Sequence, residues 1–356
     1  MSEPSLCANI EKKHGEKALL LTRKLGLLNK QLEIQRNDTN ICIPLIRNPN
    51  DAELRILKMQ IPAFQLASAF FLRKSDSRNT LPEVLAGQLP AHLIKELPRA
   101  LDIIGEIAII EMPQELKAHE KLVGKAVLKT HKNVRTVLAK AGSIAGEYRL
   151  REYRVIAGEN RTDTVHNEYG CKFMVDVAKA YFSPRLSNEH KRVAALVQNN
   201  ETVVDLFAGV GPFSVSIAKD KPCVKVFAVD SNSEAVKLLK NNIRLNRVED
   251  RVIPIHGDAR HVVEEKLSGV ADRVITNLPE KASEFIDVAC KALKPLGGII
   301  HYYGFVRLPD SLDNKKMFLT QEVKKNSREL DTILFEKNVR ETAPYEWQFV
   351  IDAKIL

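Results

Sequence analysis

Cysteine is scarce in this 356-residue chain, and its placement excludes two kinds of protein. Cys7, Cys42, Cys171, Cys223 and Cys290 form no C-x-x-C pair and have no histidine at ligand spacing. A structural zinc site and a disulfide framework are therefore not expected, and a reducing compartment is. Long apolar runs are also missing. Stretches such as FAVD and GGIIHYYGF fall far short of the roughly 20 residues that a membrane helix needs. The opening segment, MSEPSLCANIEKKHGEK, lacks the apolar core of a signal peptide. With no internal repeat or low-complexity tract either, these absences predict a globular cytoplasmic protein with no membrane partner and no bound metal.

What is present sets the scale. A chain of this length, 44% hydrophobic, exceeds what one core usually serves, so two or three domains are expected. Lysine and arginine number 54 against 45 acidic residues, a net charge of +9 that suits a polyanionic partner through release of phosphate counterions and equally a generically soluble basic protein.

Residues 1–70 read as a small α/β unit. Ala18, Leu19, Leu21 and Leu25 recur at helical spacing with Gly26 as a stop, and strands are expected at Leu32–Gln35 and Ile41–Leu45. The polar stretch within residues 71–83 reads as a linker. Residues 84–175 form a second α/β unit, with a strand over Ile103–Ile110 and an amphipathic helix in LKAHEKLVGKAVLKTH. Strands and turns alternate after it, and Arg135, Arg149, Arg151 and Arg154 concentrate there. From about residue 176 the order becomes strand, glycine loop, helix, strand, helix. That alternation predicts a doubly wound parallel sheet, a Rossmann-like domain over residues 176–356.

The strongest local signal is ETVVDLFAGVGPFSVSIAKD. A short buried strand, Val203–Leu206, carries Asp205 at its end; Phe207, Gly209 and Gly211 form the tight turn, and Pro212 opens a helix. The next strand, KVFAVD, ends in Asp230, placed to accept ribose hydroxyls. The following one, VIPIHGDAR, leads to Asp258, placed to accept from an adenine amino group. A nicotinamide site has a similar outline, and each aspartate alone reads as a helix cap. Three acids at successive strand ends, without a third glycine for pyrophosphate, suit the cationic sulfonium of S-adenosylmethionine better than a diphosphate. A fourth strand, DRVITNLPE, ends in Asn277, Leu278 and Pro279, where open α/β sheets place their chemistry. Asn277 offers a planar base both a carbonyl and an amide, and Pro279 stiffens the turn. Leu278 and Glu280 stand where enzymes that methylate exocyclic amines carry a further proline and an aromatic residue.

KKHGEK, LLNK, GEYRLRE, AGENRT, VDVAKAYFSPRL, DLFAGVGPFS, TNLP and GGIIHYY together give the chain a resemblance that spans nearly its whole length. It resembles the archaeal and eukaryal tRNA (guanine-N1)-methyltransferases that act on position 37. The resemblance implies that Glu189 takes the proton from guanine N1 and that Arg149 steadies charge developing on O6. It implies further that Asn277 holds the base edge, that Pro279 shapes the pocket, and that Arg185, Asp230 and Asp258 line the cofactor side. The first 70 residues would touch the outer corner of tRNA, with Lys12, Lys13 and Lys17 as phosphate contacts, and the second unit would help grip the anticodon arm. A monomer is expected, and Mg²⁺ dependence is left open. Two alternatives share the fold: an aminocarboxypropyl transferase of the wybutosine pathway, which has no N1 proton to remove, and a non-catalytic RNA-binding protein. TNLP and Glu189 separate the methyltransferase from the first, and the intact acidic strand ends from the second.

Overall fold

The computed structural model describes residues 2–37, 39–62, 64–73, 80–98, 100–142 and 150–356. By internal contacts the chain divides into two compact units, residues 1–79 and 80–356.

The first unit is a four-stranded antiparallel sheet with two helices. The strands are β1 (Ser2–Glu11), β2 (Gln35–Arg36), β3 (Asn40–Pro44) and β4 (Gln65–Leu72), in the order β2-β3-β1-β4. Helix α1 (Gly15–Lys24) runs to the expected stop, where Gly26 takes a φ of +66°. Helix α2 (Asp51–Gln60) starts at a capping box in which Asn50 accepts from the Glu53 N–H and Glu53 accepts from the Asn50 N–H. Ala8, Ile10, Ile41 and Ile43 meet Ala18 and Leu57 in the core. The strand expected over Leu32–Gln35 is only the two residues of β2. β1, β4 and α2 were not anticipated. In β1 (SEPSLCANIE) proline and polar residues mask the strand signal, and pairing on both sides decides its conformation. β4 runs through Leu72, into the stretch read as linker, and α3 (Leu81–Leu85) begins in its far end behind Thr80.

In the second unit, α3 and α4 (Ala91–Lys95) precede a four-stranded sheet of β5 (Asp102–Ile104), β6 (Ile107–Ile110), β7 (Thr136–Lys140) and β8 (Tyr153–Gly158), paired in that order. The single strand expected over Ile103–Ile110 is broken at Gly105, whose φ of +54° turns the chain back so that β5 and β6 pair antiparallel. Only glycine fits there, because a Cβ would lie 2.3 Å from the Val165 carbonyl. The expected amphipathic helix is α5 (Glu120–Thr130), entered through a 3₁₀ turn over Gln114–His119. A hairpin of β9 (Asp163–Glu168) and β10 (Cys171–Asp176) follows, turning at Tyr169 and Gly170, both at positive φ.

The largest sheet has seven strands: β11 (Thr202–Asp205), β12 (Lys225–Asp230), β13 (Val252–His256), β14 (Arg273–Thr276), β15 (Gly298–Arg307), β16 (Leu330–Ala343) and β17 (Glu346–Ile355). Their order is β13-β12-β11-β14-β15-β17-β16. β11 to β15 are parallel, and β17 lies antiparallel between β15 and β16. The doubly wound sheet is thus the one expected, completed by an antiparallel edge. Helices α6 (Ser187–Leu196), α7 (Pro212–Asp220) and α8 (Ser233–Asn246) cover one face, and α9 (Ala259–Val262), α10 (Ile286–Ala292) and α11 (Leu312–Lys325) the other. Neighbouring strand residues alternate between the two cores, as Val203 and Val204 do. On α8, Asn242 and Asn246 each give and take a hydrogen bond with the β10 backbone, at Met174 and Lys172, and so staple the hairpin to the sheet's outer layer.

Candidate active site

The turn after β11 builds the site from backbone. The Ala208 N–H donates to the Val229 carbonyl at 2.8 Å, and Gly209 and Gly211 follow at φ of +56° and +91°. At Gly211 the constraint is packing, since a Cβ would lie 2.4 Å from the Leu239 side chain. At Gly209 no heavy atom comes nearer than 3.7 Å to that position, so its lack of a side chain leaves room for a ligand. Pro212 then opens α7 as expected.

Around this turn lies a cavity of about 540 Å³. Phe207, Ala208 and Gly209 form its floor, Asp230, Asn232 and Asp258 one side, and Asn277 with Leu278 another. Tyr181, Ser183, Leu186 and His190 close it from the segment entering α6, and Phe285 meets Phe207 edge-on at 4.9 Å between ring centroids. Asp230 is held on both oxygens by backbone: Gly209 N–H donates to Oδ2 at 2.7 Å and Asn232 N–H to Oδ1 at 2.8 Å. Burial raises its pKa, against these two hydrogen bonds. Asp258 lines the cavity and also caps α9, accepting from the N–H groups of Arg260 and His261. Its cap and lining readings therefore coexist.

Several expected residues sit elsewhere. Asp205 is fully buried beneath the turn, not on the cavity; Ser214 Oγ donates to its Oδ2 at 2.7 Å, and Oδ1 has no partner. Burial pushes its pKa up to about 7, against the Ser214 hydrogen bond and with help from the Asp230 charge. Arg185 is paired with Asp102 at 2.6 Å and lines a neighbouring hollow. Pro279 stands in the turn after Asn277, outside the cavity lining. Arg149 lies outside the described residues. Lys12 and Lys17 are exposed, and Lys13 pairs with Glu11. Arg135 and Arg154 are engaged by Glu106 and Glu120.

Glu189 is buried, one residue from His190 on α6, and does not itself line the cavity. Its Oε2 accepts from Arg192 Nε at 2.8 Å and from the Tyr303 hydroxyl at 3.0 Å. Arg192 Nη1 in turn reaches Asp352 Oδ2 at 2.5 Å. Asp352 Oδ1 lies 2.6 Å from His301 Nδ1, and His301 Nε2 lies 3.0 Å from Arg273 Nη1. Arginine can only donate, so His301 accepts at Nε2 and donates from Nδ1. Burial holds His301 neutral, which agrees with that tautomer. The Tyr303 hydroxyl is held protonated by burial and by the Glu189 charge, so it remains a donor.

Residues the sequence did not mark include His190, whose Nδ1–H donates to Glu168 Oε2 at 2.8 Å. Burial opposes the Glu168 charge, but hydrogen bonds from His166 and His190 outweigh it and keep its pKa below the ordinary range. Gln348 and Arg340 are likewise new. Asn232 was legible in principle, since a Ser-Asn-Ser run before an amphipathic stretch marks the cap it forms on α8.

A parallel sheet with one antiparallel strand inserted near its edge, and an acid held at the end of its second strand beside a glycine turn, defines a Rossmann-like class I methyltransferase. Comparison with known proteins narrows this. Residues 164–333 match the TRM5/TYW2 methyltransferase domain, residues 81–162 the TYW2 N-terminal domain and residues 7–53 the tRNA methyltransferase 5 N-terminal domain. The chain is 38% identical to the tRNA (guanine(37)-N(1))-methyltransferase Trm5b of Pyrococcus abyssi over 99% of both proteins, and the crystal structure of that enzyme superposes with a TM-score of 0.71. The structure of aTrm5 in complex with tRNALeu is 33% identical, covers 99% of this chain and 100% of its own, and has a TM-score of 0.68. A tRNA(Phe) (4-demethylwyosine(37)-C(7)) aminocarboxypropyltransferase of Pyrococcus horikoshii is 33% identical, covering 80% of this chain and 99% of its own length. The chain belongs to the Trm5 family of tRNA methyltransferases.

Proposed function

We propose that this chain transfers the methyl group of S-adenosylmethionine to N1 of guanosine at position 37 of tRNA. The observation that carries the reading is the match to Trm5b from end to end, including the N-terminal domain over residues 7–53. The aminocarboxypropyltransferase leaves a fifth of this chain without a counterpart.

The residues present fit the cofactor. A cavity of about 540 Å³ accommodates a nucleoside with an amino-acid arm, and Asp230, fixed by two backbone N–H groups, has lone pairs left for ribose hydroxyls. Asp230 and Asp258 suit a cation, Phe207 and Phe285 an aromatic base, and Gly209 close backbone approach. When bound, the cofactor supplies an activated methyl group.

Guanine N1 is protonated at neutral pH, so a group of this chain must take that proton before N1 is nucleophilic. Glu189 fills the role: two donors, Arg192 and Tyr303, hold its Oε2, and Oε1 receives the proton. Such help is worth about 10²–10⁴-fold. Arg149 steadies the charge left on O6, and Asn277 orients the base edge, with Pro279 stiffening its turn. Alignment of N1 with the methyl group supplies the remainder. One observation favours a second acceptor, His190, which lines the cavity where Glu189 does not. On the RNA side, the first unit meets the outer corner of tRNA through Lys12 and Lys17, and the second the anticodon arm. No helix among the described residues is long and apolar enough to cross a membrane, and we place the enzyme, acting as a monomer, in the cytoplasm.

The test is methyl transfer to transcripts carrying guanine or adenine at position 37, for the native enzyme, Glu189→Gln, His190→Gln and Asn277→Ala. Transfer to the guanine transcript alone is expected, with Glu189→Gln slowed about 10²–10⁴-fold while cofactor binding persists. Equal transfer to both transcripts discards the substrate. A crippled His190→Gln beside a near-native Glu189→Gln moves the proton acceptor to the histidine.

A further inference from the structure

Asn277 lines the cavity, and an asparagine amide can face a base with either edge. Which edge it shows is decided behind it. Asn277 is bonded to Gln348, at 3.1 Å between Oδ1 and Nε2, and Gln348 is bonded to Arg340, at 2.8 Å between Oε1 and Nε. Gln348 is almost wholly buried, 1% exposed, so it has little freedom to seek other partners. The guanidinium has donors and no acceptor. It therefore compels Gln348 to give it the carbonyl oxygen and to turn its NH₂ toward Asn277. Asn277 must then offer Gln348 its own carbonyl. With its carbonyl turned to Gln348, the edge it can turn to a ligand carries the NH₂, a donor. Arg340 is itself fixed, because Nη1 donates to Ser183 Oγ at 2.8 Å and Nη2 to the Tyr181 hydroxyl at 3.0 Å, and both of those residues line the same cavity.

We infer that Arg340 and Gln348 are the specificity-determining pair of this enzyme: they polarise Asn277 so that it donates to the base, accepting guanine through O6 and rejecting a base with an amine there. Adenine and other 6-amino purines place a donor where guanine has an acceptor, and two donors face to face leave both unsatisfied. Enzymes that methylate exocyclic amines need the opposite polarity from an asparagine at this strand end. Neither Arg340 nor Gln348 touches the substrate; both are positioning residues. The inference rests on the guanine-N1 reading proposed above.

Gln348→Glu inverts the relay. A carboxylate only accepts, so it takes a hydrogen bond from Arg340 and another from Asn277, whose carbonyl then turns to the base. The measurement is binding of tRNA transcripts with guanine or 2,6-diaminopurine at position 37, in competition, with cofactor affinity measured alongside. The two bases differ at N1 as well, but that difference acts equally on both enzymes and cancels in the comparison. For Gln348→Glu the preference for guanine over diaminopurine is expected to fall about tenfold or more relative to the native enzyme, with cofactor affinity retained. Arg340→Lys, which keeps an obligate donor, is expected to preserve more of the preference than Arg340→Met, and this pair decides the matter if Gln348→Glu does not fold. Equal weakening of both transcripts, or an unchanged preference, overturns the inference and leaves the pair a structural support. A native enzyme that does not methylate the guanine transcript at all would instead sink the functional reading beneath it.

Discussion

On the parallel side of the large sheet, Asp230 is held by backbone N–H groups 2 and 21 residues away along the chain. On the antiparallel side, Asn277 and Glu189 take side-chain partners 71 and 114 residues away, on β17 and β15. The side proposed for the cofactor is thus assembled from turns that each strand-loop-helix unit makes for itself. The side proposed for the chemistry exists only once β15, β16 and β17 have docked beside β14. Carboxylates fixed by local backbone are insensitive to distant substitutions. Groups fixed by a chain of side chains inherit the failure of any link, so a buried relay such as Arg273, His301, Asp352, Arg192 and Glu189 trades robustness for a defined protonation state.

That contrast can be broken at three points. The largest effect is expected on the parallel side, from Asp205, and it depends on pH. Its pKa of about 7 in the fold lies above the ordinary value near 3.9 that the unfolded chain shows. Between those values the unfolded chain has lost a proton that the folded one keeps, so stability falls as pH rises from about 4 to about 7 and levels off above, by about 1.4 kcal/mol per pH unit. Asp205→Asn removes that term. The melting temperature of the variant, minus that of the native protein, should climb through this window and then flatten; a pH-independent difference contradicts the buried proton.

Next is Asp352→Asn on the antiparallel side. It leaves Arg192 and His301 facing a neutral amide in a buried setting, at a cost of about 3 kcal/mol. For a unit of this size that is a melting temperature lower by roughly 6–12 °C, with turnover reduced through Glu189 and cofactor affinity nearly native. If turnover survives while stability falls, the relay supports the fold and not the base. The smallest effect, and the complement of the second, is expected for Asp230→Asn. Cofactor affinity should weaken about 10–100-fold, from charged hydrogen bonds worth about 1.5–3 kcal/mol each, with a smaller change in melting temperature than Asp352→Asn. Unchanged affinity by calorimetric titration would remove Asp230 from the cofactor site.

The same contrast explains what was legible beforehand. The turn from Asp205 to Gly211, Asp230 and Asp258 are spelled out in contiguous stretches, because a strand that ends in an acid before a glycine turn and a helix needs only local residues. The reading of Asp205 as a ligand group was still misplaced, since the alternation of side chains along β11 sends it into the interior beside Ser214. Motif resemblance put Glu189 forward, and the strand end before Pro279 put Asn277 forward. Nothing near them in sequence signals Tyr303, Asp352, Gln348 or Arg340. β1 and β4 were missed for a related reason: their sequences are indifferent strand formers, and each becomes a strand by pairing with the other, Ser2 with Leu72 through Asn9 with Gln65.

By itself, then, the sequence determined the class of C-terminal fold, the glycine turn after β11, the acids at the strand ends beside it and the family to which the chain belongs, all of them matters of short-range pattern. The tertiary structure alone decided which acid points inward, which tautomer His301 adopts, which donors hold Glu189 and which edge Asn277 turns to Gln348. Those depend on hydrogen-bond partners from strands far apart in the chain, and a donor or acceptor has no defined direction until its partner is in place.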